Sequence, residues 1–248
     1  MPVPNILREA IGPFPLFYFQ KRWKGCKCIA FNQLFKIYSV FLSMPLHYNA
    51  IIFDLGGVVL NLDYNRTVNA FKELGKENFE HLYAKSNQDK IFDQFETGAI
   101  SAKEFRAYMK SFLDETVSEN EIDFAWNSML LDLPKKRIDL LLKLKERYKI
   151  FLFSNTNEIH LDAFQKIIAD THGNSTLLEN IFHQTYYSHL VGLRKPTAEA
   201  FQKVIDDHQL IPQQTLFIDD SIQHIEGAQN LGIQTFHLVN RDICELFK

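Results

Sequence analysis

The chain has 248 residues, 46% of them hydrophobic and 13% aromatic, and a net charge of −3. That length holds one large domain or a domain with an insert, and the apolar fraction can bury a sizeable core. The acidic balance argues against a nucleic-acid partner. Cys26, Cys28 and Cys244 make no disulfide framework, so a cytoplasmic protein is expected. No window of about 18 apolar residues runs without polar interruption, so no membrane span is expected.

Residues 1–43 differ from the rest. They carry Arg8, Lys21, Arg22, Lys24, Lys27 and Lys36 against Glu9 alone, among the aromatic stretches FPLFYF and IAFNQLFKIYSVFLSM. A secretory leader fits poorly, because Asn32, Gln33 and Lys36 interrupt the apolar stretch and no small-residue cleavage site follows. A basic membrane-surface arm is another reading. The simplest is that the functional protein starts at Met44 and that the arm lies outside it. Cys26-x-Cys28 lacks partner ligands for a metal.

From residue 50 the pattern becomes regular. Ala50–Asp54 is a short apolar run ending in a turn, as a buried parallel strand does. Residues 64–131 show no strand and read as helices, two of them opened by Ser-x-x-Glu capping boxes at Ser101/Glu104 and Ser118/Glu121. A helix follows Pro134, and then strands and helices alternate: strands at 149–154, 183–188, 214–220 and in IQTFHLV, with helices between. This rhythm predicts an α/β fold, a Rossmann-like open parallel sheet with helices on both faces. The helical block between the first two strands is too long for a crossover and reads as an inserted cap. The expected division is a core of 44–62 and 133–248 with a helical cap at 63–132.

In such sheets, ligands bind beyond the carboxyl ends of the strands. That edge is expected to gather Asp54, Ser154 with Asn155 and Thr156, Lys195 from the loop Gly192–Pro196, and Asp219 with Asp220. Taken singly, each has an ordinary reading: a helix cap, a turn residue, a solvated lysine. Together they suggest more. Three carboxylates at one spot repel unless a cation sits among them, and oxygen ligands favour Mg²⁺. A hydroxyl, backbone N–H groups and a lysine neutralise a phosphoryl group. A metal-held carboxylate can attack phosphorus, which points to phosphoryl transfer through Asp54.

The segments IIFDLGGVV, FLFSNTN, GLRKP and FIDDS, in this order, resemble the four motifs of the haloacid dehalogenase superfamily of phosphatases. The resemblance runs from about Asn49 to Val239, and the helical insert looks like that superfamily's small helical cap. Within it, FDLGGVVLNLDYNR, SNTNEIH, VGLRKPTAEAFQ and FIDDSIQHIEGAQNLGI look like the subgroup of the bacterial α-D-glucose-1-phosphate phosphatase and the phosphatase domain of soluble epoxide hydrolase. The resemblance implies Asp54 as nucleophile and Mg²⁺ ligand, and the Gly56 carbonyl as a second ligand. It implies Ser154 and Asn155 on the phosphoryl group, Lys195 orienting Asp54, Asp220 on the metal, and Asp219 in the same shell or bound through water. His224 stands where the subgroup often has Asn.

Gly56 departs from most of the superfamily, where a second Asp two residues after the nucleophile moves the proton. Acid–base catalysis is typically worth about 10²–10⁴-fold, so a weakened, phosphate-binding or regulatory protein is the alternative to an active enzyme. Asp63 is a substitute acid only if it is not the cap of the helix at Tyr64. His160 and Glu158 read as solvated or capping. Phe95, Glu96, Thr97, Trp126 and Asn127 are candidates for reading the leaving group. The expected partner is a small-molecule phosphate ester, a hexose phosphate such as glucose 1-phosphate, with no nucleic acid and no membrane, on a monomer or weak dimer.

Overall fold

Ala50–Phe53 form β1, and all four residues are buried. Ala, two Ile and Phe present no polar face, so this strand is stable only when covered on both sides. In the computed structural model, which describes residues 48–75 and 90–247, it is so covered. The arm at 1–43, with its two cysteines, and residues 76–89 of the expected cap lie outside the described residues.

The other strands are β2 (Lys149–Ser154), β3 (Gln184–Tyr187), β4 (Thr215–Asp219) and β5 (Gln234–His237). All pairings are parallel and the order is β3-β2-β1-β4-β5, the expected open α/β sheet. The chain winds outward from β1 through β2 and β3, then returns to lay β4 on the other side of β1. The winding therefore reverses between β1 and β4, where such sheets open a crevice at their carboxyl edge.

Between β1 and β2 lie α1 (Tyr64–Glu73), α2 (Lys90–Glu96), α3 (Ala102–Lys110), α4 (Glu119–Asn127) and α5 (Lys135–Lys145). After β2 come α6 (Glu158–His172) and α7 (Leu177–Ile181), then α8 (Ser188–Val191) after β3, α9 (Ala198–His208), and α10 (Ile222–Gln229) after β4. One face of the sheet, with Ile52, Phe151, Phe153 and Phe217, packs on Phe201 and Val204 of α9 and Ile225 of α10. On the other, Phe53 meets Phe182 at 5.9 Å between ring centroids. Each such side chain, fully buried, contributes about 1.5–3 kcal/mol.

The helices α1–α4 have their own apolar cluster around Phe71, Phe92, Phe95, Phe105 and Trp126, which also takes in Ile159 of α6. Both expected capping boxes form: Ser101 and Ser118 each accept from the N3 backbone, and Glu104 and Glu121 each accept in return. The chain leaves the sheet and comes back along adjacent paths. Asn61 N donates to Asp132 O, Leu131 N to Asn61 O and Asp63 N to Met129 O. The Asn61 side chain also donates to Asp132 at 2.9 Å.

Candidate active site

The carboxyl edge of β1 and β4 delivers Asp54 and Asp219. Asp54 follows the last residue of β1 and its N–H continues the ladder to Ile218 O. Lys195, 0% exposed, comes from the loop before α9 and places Nζ 2.5 Å from Asp54 Oδ1 and 2.7 Å from Asp219 Oδ2. Its ammonium also lies 5.5 Å and 5.3 Å from the ring centroids of Phe153 and Phe217. Burial works against the charge on Lys195, but Asp219 and Asp54 outweigh it and hold the group above the ordinary lysine range. Burial likewise pushes Asp54 well above the usual carboxylate range; Lys195 opposes this, and Asp219 and Asp220 add to it. Asp219 is held below that range despite its burial, by Lys195 and His224.

Asp54, Asp219 and Asp220 bring one ligand atom each within 4.8 Å of one another. Gly57 makes room for this. It sits at φ 75°, where a side chain is strained, and a Cβ there would lie 2.5 Å from Asp220 Oδ2. Gly56 is different: it lies outside the left-handed region, and a Cβ there would meet Leu62 Cδ1 at 2.5 Å. The space beside Asp54 where a side chain at 56 would begin is therefore taken by a leucine.

Ser154 ends β2 and, with Asp54, Gly56, Asn155, Lys195 and Asp220, lines a cavity of about 610 Å³. The Asn155 side chain has a more particular position than its sequence suggests. Its Oδ1 accepts from Lys195 N and its Nδ2 donates to Lys195 O, both at 2.9 Å. The amide thus clamps the main chain that carries the lysine. Ser188 Oγ pins the loop that carries Asn155, accepting from Thr156 N and donating to Thr156 O. His224 Nδ1 lies 3.0 Å from both oxygens of Asp219. Because Asp219 stays ionised, the proton belongs on Nδ1, and burial first, then Lys195, keeps the ring neutral.

Of the leaving-group candidates, Glu96 and Trp126 line the cavity. Phe95 does not: it is buried in the helical cluster, stacked on Phe105 at 4.2 Å. Thr97 bonds back to Asp93 O, and neither Thr97 nor Asn127 reaches the wall. Asp63 caps α1, accepting from Asn65 N at 3.1 Å. The reading of His160 and Glu158 as solvated or capping needs correction in part. His160 is buried, stacked on Trp126 at 5.0 Å, with Nε2 3.1 Å from Trp126 O and Nδ1 3.2 Å from Asn157 Nδ2. Asn157 supplies the donor to Nδ1, so Nε2 carries the proton and donates to Trp126 O. Glu158 caps, but not its own helix: it accepts from Ala102 N at the start of α3. Two further residues on the wall, Tyr64 and Arg194, were not singled out from sequence.

The sequence pattern of the family described as haloacid dehalogenase-like hydrolase matches residues 48–232. A D-ribitol-5-phosphate phosphatase of Bacteroides thetaiotaomicron is 31% identical over 190 residues, 77% of this chain and 91% of that protein. The sesquiterpene phosphatase astK of Aspergillus oryzae is 26% identical over 196 residues, 78% and 91% of the two. A solved HAD family enzyme from B. thetaiotaomicron, in complex with magnesium and inorganic phosphate, aligns with a TM-score of 0.72 and 38% identity, covering 81% of this chain and 100% of that one.

Proposed function

This chain belongs to the haloacid dehalogenase-like hydrolase family as a phosphoric monoester hydrolase, and from that premise we propose that it hydrolyses small phosphomonoesters through an aspartyl-phosphate on Asp54, with Mg²⁺ as cofactor. The observation that carries the reading is the fully buried Lys195 bridging Asp54 and Asp219 on the wall of the cavity that Ser154 shares. A lysine so placed fixes the orientation of one Asp54 oxygen and leaves the other to face a phosphorus atom.

The donor set fits a divalent cation. Three carboxylates within 4.8 Å outnumber the one ammonium among them, and burial first, then Asp219 and Asp220, makes Asp54 resist ionisation. Asp54, Asp220 and the Gly56 carbonyl would hold the ion, with Asp219 beside them. When bound, Mg²⁺ offsets charge on the phosphoryl oxygens and keeps Asp54 ionised. The chain's own groups do the rest. Asp54 attacks phosphorus, the ester P–O bond breaks, and the leaving oxygen takes a proton from water and departs as the alcohol. The Ser154 hydroxyl and the main chain at Asn155 receive the phosphoryl oxygens, and the Asn155 amide holds Lys195 in place. Water then attacks phosphorus, which returns the Asp54 carboxylate and releases inorganic phosphate.

Two relatives are named for very different substrates, one as a D-ribitol-5-phosphate phosphatase and one as a sesquiterpene phosphatase. Carboxylates and a tyrosine on this cavity's wall suit the hydroxyl-bearing kind, so a polyol or sugar phosphate is the substrate we propose. Glucose 1-phosphate is one candidate among these. A second reading, a phosphate-binding protein with little turnover, is favoured by Leu62 occupying the place of a proton-carrying side chain at 56. Phosphate release from a panel of sugar and polyol phosphates, with Mg²⁺ and with EDTA, separates the two. Metal-dependent release that vanishes in Asp54→Asn, with the fold intact, supports the enzyme. Ester binding without release supports the alternative, and turnover by Asp54→Asn would sink the mechanism.

A further inference from the structure

The cavity is lopsided in charge. Asp54 and Asp220 stand on its sheet side and Asp93 and Glu96 on its helical side, while its cationic wall residues, among those described, are Lys195 and Arg194. Neither cation is available to a second anion. Lys195 is enclosed between Asp54 and Asp219. Arg194 turns toward α2, with Nη1 2.7 Å from Asp93 Oδ1, Nη2 2.7 Å from Glu96 Oε2, and Nε 2.9 Å from that same Glu96 oxygen. The histidines on the wall are engaged elsewhere: His224 Nδ1 lies 3.0 Å from both oxygens of Asp219, and the ring nitrogens of His160 meet Trp126 O and the Asn157 amide. Tyr64 adds a phenol to the same wall. Beyond these, the polar groups of the wall are neutral ones such as Tyr64, Ser221 and Gln223 and the carboxylates already named.

We propose that the Asp93–Arg194–Glu96 cluster is a charge filter: the site accepts phosphomonoesters whose alcohol part is uncharged and hydroxyl-bearing, and rejects those carrying a second phosphate or a carboxylate. The inference rests on the phosphatase reading above and adds what the leaving group must be. A second anion would be buried beside two carboxylates whose guanidinium is already engaged. Taking Arg194 for itself, it would strand Glu96, a part-buried carboxylate, without its partner. Hydroxyl groups carry no such penalty and find acceptors on the same wall.

Matched substrates test it: glycerol 3-phosphate against 3-phosphoglycerate, and fructose 6-phosphate against fructose 1,6-bisphosphate, all with Mg²⁺. The wild type should prefer the uncharged alcohol in kcat/KM by at least about tenfold. Glu96→Gln keeps the side chain's size and removes one of the charges that occupy Arg194. It should shrink that ratio by about tenfold, through a gain for the anionic member of each pair. If Glu96 only held α2 in place, both members would weaken together and the ratio would stay. A wild-type ratio near one, or a ratio unchanged in Glu96→Gln, overturns the filter. Calorimetric binding of the same pairs to Asp54→Asn reads the ratio without turnover. A wild type that releases no phosphate therefore sinks the phosphatase reading, and the binding ratio alone then upholds or overturns the filter.

Discussion

Alanine at Gly57 and at Gly173 separates a backbone cost from a cost to the carboxylate cluster. The two glycines hold nearly the same conformation, φ 75° and 74°. An L-residue pays roughly 1–2 kcal/mol to adopt it. At 173, the C-cap of α6, a Cβ meets nothing within 4 Å; at 57 it lies 2.5 Å from Asp220 Oδ2 and 3.0 Å from its Cγ. Overpacking of that kind adds about 1–3 kcal/mol. Gly173→Ala should therefore destabilise by about 1–2 kcal/mol and Gly57→Ala by about 2–5 kcal/mol, read from urea unfolding. Asp220 can relieve the clash by turning its carboxylate away from residue 57, and so away from the cluster. The Mg²⁺ concentration for half-maximal phosphate release should then rise by roughly 10–100-fold in Gly57→Ala and stay unchanged in Gly173→Ala. Matching behaviour in the two variants, in stability and in metal requirement, would refute the reasoning.

Other outcomes follow from the same geometry. Burial lowers the pKa of His160 from 6.5 to about 4, so below pH 6.5 the unfolded chain takes up a proton that the folded chain refuses. Stability should fall by roughly 3 kcal/mol as pH drops from 6.5 to 4. His160→Gln should flatten that part of the profile, and a variant as acid-sensitive as the wild type would assign the loss elsewhere. At Gly56, Leu62 is the side chain that opposes a substituent. The double variant Gly56→Asp, Leu62→Ala should speed hydrolysis of alkyl phosphates by roughly 10²-fold, with little gain for p-nitrophenyl phosphate, whose leaving oxygen needs no proton. Equal acceleration of both esters would rule out proton transfer as the cause.

Much of this architecture was legible because its signals are local. An apolar run that ends on Asp54, another that ends on Asp219, and two Ser-x-x-Glu boxes each declare an element within a few residues. The alternation after Pro134 declares the sheet. The edges were less clear: the strand expected at 183–188 spans Gln184–Tyr187, and that expected at 214–220 spans Thr215–Asp219, which leaves Asp220 just beyond it. Contacts between distant segments left no trace. The amide of Asn155 meets the main chain of Lys195 forty residues on, and Arg194 meets Glu96 across ninety-eight. His160 looked like a surface residue because its helix is amphipathic and its position says nothing of Trp126, whose ring and carbonyl remove it from water. Side-chain pairing of this kind depends on tertiary packing, and residue order alone does not encode it in any local pattern.

The side-by-side crossings at Asn61 and Asp132 have a consequence for descent as well as for folding. Both ends of the intervening stretch are tied to each other by main-chain bonds, so the exit from β1 and the return to α5 stay side by side whatever the length between them, and the contacts of Glu158, His160 and Arg194 are what a replacement would have to satisfy. Such an arrangement tolerates exchange: a different stretch of another length can be grafted at the same two points while Asp54, Lys195 and Asp219 keep their places. On the proposed function, selection could then diversify recognition in one segment and keep the proposed catalytic residues in the other, and a swap made in the laboratory at these two points would test that freedom.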